Sequence, residues 1–84
     1  MKNKTKKNTI NRLFRKYSRN DQYLSRREIV RLMKKEFQLS YSNHIITSLM
    51  NIWGQKKGNS YIITKSMFPR LFQKPDGFFR YIIL

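Results

Sequence analysis

The chain is short of acids, has no cysteine, and carries few residues that break helices. Four Asp and Glu stand against nineteen Lys and Arg in 84 residues, a formal charge of +15. Without cysteine there is no disulfide and no thiolate metal site. The one histidine, His44, cannot build a zinc site alone. No apolar run approaches the ~20 residues that a membrane span needs. The basic start Met1-Lys2-Asn3-Lys4-Thr5-Lys6-Lys7 is not followed by the apolar core of a signal peptide. These absences predict a cytoplasmic or nuclear protein that uses neither membrane nor metal. The acids Asp21, Glu28, Glu36 and Asp76 are scattered, with no carboxylate pair placed for proton transfer. His44 has no acid or thiol near it in sequence. Gly54, Gly58 and Gly77 match no phosphate-cradling loop. A non-enzyme without a cofactor is the expectation.

What is present is positive charge. A small domain stays soluble with a net charge of about 2–8, and a larger surplus opposes folding through self-repulsion. A polyanion relieves that repulsion, and a nucleic-acid backbone is the natural one, because Lys and Arg release its counterions. The stretch from Phe37 to Pro75 contains no acid at all. Nucleic acid is therefore the predicted partner, DNA first and RNA second. An acidic protein surface is the alternative.

The apolar pattern predicts a single small domain over 9–84, preceded by a flexible basic arm over 1–8. Ile10, Leu13, Phe14 and Tyr17 recur at helical spacing and place a first helix over 9–17. Ser25 with Glu28 three residues on is a capping box, flanked by Leu24 and Ile29 as a hydrophobic staple. It opens a second helix whose buried face is Ile29, Leu32, Met33 and Phe37. A third helix over 43–53 presents Ile45, Ile46, Leu49, Ile52 and Trp53 on one side. Its other side carries Asn43, His44, Thr47 and Asn51, which are polar and uncharged. Gly54 stops it. Tyr61-Ile62-Ile63 has strand composition, and Gly58-Asn59 supplies the turn of a hairpin with Trp53–Lys56. Pro69 is expected to end any helix before it. Lys74-Pro75-Asp76-Gly77 reads as a type I turn between two candidate strands, 70–73 and 78–84. The apolar C-terminus packs on the core or meets a partner protein. The expected fold is α+β, mostly α: three helices, a β-hairpin wing, then a C-terminal strand or hairpin.

Ser25-Arg26-Arg27-Glu28-Ile29-Val30, Leu39 to Ile46, and Lys56-Lys57-Gly58-Asn59-Ser60 together resemble a winged helix-turn-helix. That resemblance implies a third helix in the major groove. Asn43, His44, Thr47 and Asn51 would then face bases, where neutral donors and acceptors read base edges. Arg26, Arg27, Arg31, Lys34, Lys35, Lys56 and Lys57 would hold phosphates. A regulatory or replication role would fit. A second resemblance competes with it. Tyr23-Leu24-Ser25-Arg26-Arg27-Glu28 and Gly58-Asn59-Ser60-Tyr61-Ile62 are each similar to the later half of an EF-hand loop. Calcium needs an acid-rich loop, and the second segment has no acid. This resemblance implies a degenerate, metal-free pair used for protein contacts.

Overall fold

A computed structural model describes residues 2–82, with side chains from Asn8 onward. Helix α1 spans Lys2–Tyr17 and buries Ile10, Leu13 and Phe14. It takes in most of the segment expected to be a flexible arm. No Gly or Pro interrupts that segment, so the helix nucleated by the apolar stripe propagates back through it. After α1, Asn20 Oδ1 accepts from the N–H groups of Gln22 and Tyr23, and Asp21 takes a φ of 58°. This turn delivers strand β1, Tyr23–Ser25, which periodicity did not predict because three residues are too few to show it.

Helix α2, Arg26–Phe37, begins as expected. Ser25 Oγ accepts from the Glu28 N–H at 3.4 Å, and Glu28 Oε1 accepts from the Ser25 N–H at 2.8 Å. Gln38 closes the helix in the left-handed region, its N–H donating to the Met33 carbonyl. Helix α3 spans Asn43–Trp53. Ile46, Leu49 and Met50 are its buried residues. Ile45 and Ile52, on the same apolar side, lie exposed. The strip of α3 that the core covers is narrower than the apolar stripe, and both isoleucines fall off its edge.

Gly54 ends α3 where a Cβ would collide with the Met50 carbonyl oxygen. Strands β2, Gln55–Lys57, and β3, Ser60–Thr64, then form the hairpin. Gly58 makes its turn with a φ of 63°. The sheet is antiparallel with order β1-β3-β2. Leu24 lies opposite Ile63, and both are fully buried.

The structure repeats itself about that pair. One helix–strand–helix unit is α1, β1 and α2. The other is α3, β3 and the 3-10 helix Phe68–Phe72. Each strand ends in a hydroxyl residue that accepts from the N–H three residues on, Ser25 from Glu28 and Thr64 from Met67. Pro69 falls in the first turn of the 3-10 helix rather than after a helix. Its missing N–H has no partner to lose at that position.

Neither candidate C-terminal strand forms among the described residues. Residues 70–72 belong to the 3-10 helix, which Gln73 caps, and residues 78–81 fold as a turn. The Phe79 N–H donates to the Leu71 carbonyl and the Gly77 N–H to that of Gln73, so these groups are spent on the 3-10 helix and its end. The Lys74–Pro75 peptide is cis. Phe79 packs inward against Phe37 and Phe72, with ring centroids 5.4 and 5.2 Å away. The apolar C-terminal segment is thus largely core; among its described residues Tyr81 is the large hydrophobic left exposed. Residues 83 and 84 lie outside the described residues. No described helix is long and apolar enough to cross a membrane.

Candidate nucleic-acid interface

Helix α2 decides where the cations go. At about 100° per residue, positions 27, 31 and 35 share one face and rise about 6 Å apart. Arg27, Arg31 and Lys35 are all exposed there. They line a groove of about 680 Å³ between α1 and α2, whose far wall supplies Lys16 and Arg19. Two carboxylates also reach it, and both are engaged. Glu36 Oε2 accepts from Lys16 Nζ at 3.0 Å and from the Tyr17 hydroxyl at 2.6 Å. Glu28 serves the capping box, with Arg19 Nε 3.8 Å from its other oxygen. The groove keeps a surplus of three positive charges. Arg27, Arg31 and Lys35 form no ion pair among the described residues. The hydrogen bonds from Tyr17 and Lys16 hold the Glu36 carboxyl below its ordinary value. Burial, then the bond to Glu36, pushes the Tyr17 hydroxyl up to about 12.

The other expected site residues lie elsewhere. Arg26 is half-buried and reaches across to α3. Its Nη1 donates to Thr47 Oγ1 and its Nη2 to the Asn43 carbonyl, both at 3.0 Å. Arg26 thus ties two helices together, with two of its five N–H donors spent on α3. Asn43, His44, Thr47 and Asn51 are all exposed on α3. Thr47 and Asn51 line a second groove, of about 410 Å³, with Asn59 and Tyr61 of the hairpin. Arg27 stands on the ridge between the two grooves. Lys56 and Lys57 are exposed on β2, with Lys57 Nζ 5.3 Å from the Tyr23 ring centroid. Lys34 is exposed on α2 but lines neither groove.

The expected phosphate set is therefore divided. Arg26 and Lys35 are nine positions apart, which places them on opposite sides of α2. Lys16 and Arg19 join the groove unforeseen. That Lys16 and Arg19 lie off the apolar stripe of Ile10, Leu13, Phe14 and Tyr17 was visible in sequence, but their approach to α2 was not.

The side-chain oxygens in the turn just before the EF-hand-like segment Tyr23 to Glu28 hold the chain's own donors. Asn20 accepts two backbone N–H groups, and Asp21 lies 3.7 Å from Lys65 Nζ. Among the described residues, no three His, Cys, Asp or Glu gather where they could hold a metal ion.

No protein-family model, curated protein or solved structure matches this chain.

Proposed function

We propose that this chain is a non-enzymatic nucleic-acid-binding protein that grips the phosphate backbone in the groove between α1 and α2. One observation carries the reading: five cations line a single groove whose two carboxylates are already bonded. A row of unpaired cations at regular rise suits a regular row of phosphates. Duplex DNA is the favoured ligand, because it presents one negative charge per ~1.7 Å of axis.

Both resemblances have support. The strand order β1-β3-β2 with α3 ahead of the hairpin supports the winged helix. The doubled helix–strand–helix unit, and the packing of α1 on the 3-10 helix as well as on α2, support the metal-free EF-hand-like pair more strongly. On that reading α3 does not enter the major groove. Binding is then driven by the backbone and largely indifferent to sequence.

Duplex-binding titrations across a salt series test the proposal. With about three phosphates neutralised, matching the groove's surplus of three positive charges, log affinity falls against log salt with a slope near −2.7. Arg31→Glu with Lys35→Glu should remove most of the affinity, and Lys56→Glu with Lys57→Glu much less. A flat salt response, or a groove variant that binds like the parent, overturns it.

The doubled unit also favours a second reading, in which the same groove docks on an acidic protein. Recovery of one protein at fixed stoichiometry after nuclease treatment would select that reading.

A further inference from the structure

The groove between α3 and the hairpin is built differently from the cationic one. Its floor is apolar, formed by Met50 and Ile62, both buried. Asn51 stands on the α3 wall, one turn from Thr47, while Asn59 and Tyr61 come from the hairpin. Among the described residues, neither Asn51 nor Asn59 uses its side-chain amide on the protein. Tyr61 is 38% exposed. Arg26 also lines this groove, held in place by its bonds to Thr47 and Asn43. No described carboxylate lines it.

This chemistry identifies the occupant. A nucleobase is a flat ring that stacks on a tyrosine or an apolar surface, while its edge needs both donors and acceptors. Each asparagine amide offers both. The guanidiniums at the rim match the phosphate that comes with the base. A paired base cannot enter, because in a duplex its faces are covered by its neighbours and its edge by its complement. An acidic peptide would use the guanidiniums and leave the ring and the amides without a partner. We propose that this groove takes one unpaired base of a nucleic-acid strand.

The inference rests on the reading of the cationic groove as the seat of the phosphate backbone. Arg27 lines both grooves and joins them, so a strand that leaves the duplex passes over it. Lys56 lies opposite Tyr61 in the hairpin register, which sets both side chains on one face and brings an ammonium group near the next phosphate. The preferred ligand is then the junction of a duplex with a single strand.

Fluorescence anisotropy on three ligands tests this: a blunt duplex, the same duplex with a single-stranded tail of about four nucleotides, and the same again with an abasic tail. The two tails carry equal phosphate charge and differ only in their bases. The base-bearing tail should bind about tenfold tighter than the abasic one, the size expected of one stacked base. Tyr61→Leu should abolish that ratio, and Asn51→Ala, at an exposed helix position, should lower it. Both variants should leave the affinity and salt slope of the blunt duplex unchanged. Equal binding of the two tails overturns the proposal. So does a Tyr61→Leu variant, folded by circular dichroism, that keeps the parent ratio. The blunt duplex tests the cationic groove and the ratio of the tails tests this one, so the two proposals fail separately. Should the blunt duplex not bind, the same ratio read on the base-bearing and abasic strands alone still decides the matter.

Discussion

The Tyr17 hydroxyl donates to Glu36 Oε2 at 2.6 Å, joining the last residue of α1 to the penultimate residue of α2. Glu36 is depressed below 4.5 in the fold, chiefly by this bond. Its contribution to stability is present above that value and is lost as pH falls through the depressed one. Tyr17 has the opposite sign: it contributes fully below pH 10, and loses that contribution as pH rises through about 12. Tyr17→Phe should raise the Glu36 titration midpoint, read by NMR of its carboxyl carbon. The cost at pH 7 should be about 1 kcal/mol in urea unfolding, because the pair is only part-buried.

Leu24 and Ile63 face each other at the centre of the repeat, and removing volume there leaves a cavity with little freedom to close. Leu24→Ala should cost about 2–5 kcal/mol and Ile63→Val about 0.5–1.5 kcal/mol. Ser25→Ala, which breaks a reciprocal pair of caps, should cost about 1 kcal/mol. Urea midpoints at constant m-value would check all three.

Two glycines should differ in their response to alanine. At Gly58 nothing crowds a new Cβ, and only the positive φ opposes it. The cost there should be about 1 kcal/mol. At Gly77 the Cβ would be driven onto the carbonyl oxygens of Leu71 and Gln73. That change displaces the segment holding Phe79 in the core, so Gly77→Ala should lower the melting temperature considerably further.

Arg26→Ala separates a structural cation from a binding one. Its guanidinium is committed to Thr47 and Asn43. The variant should lose about 1 kcal/mol of stability while the salt slope of duplex binding stays unchanged. A slope shallower by about one unit would instead place Arg26 on a phosphate.

How much of this was legible depended on whether the signal was local. The capping box announces α2 because its partners lie three residues apart. The limits of α3 and of β3 follow from Gly54 and from the Tyr61-Ile62-Ile63 run for the same reason. Strand β1 exists because β3 pairs with it, which no three-residue pattern can disclose. Periodicity gives the direction of an apolar stripe but not the width the core will cover, so Ile45 and Ile52 share the apolar side of α3 yet lie beyond the part that the core covers. The groove was half legible. Arg27, Arg31 and Lys35 follow from spacing along one helix, but Lys16 and Arg19 enter only because Tyr17 and Glu36 draw α1 onto α2. Arg26, alike in type to Arg27, is committed elsewhere by a contact across 21 positions.

The strand order leaves β2 with one side unpaired, and that strand reads Gln55-Lys56-Lys57. An incoming chain that tried to extend the sheet there would have to set its own backbone beside two ammonium groups, and a like chain would bring two more. The open edge thus discourages fibre-like growth by its side chains alone, with no proline or bulge needed to blunt it.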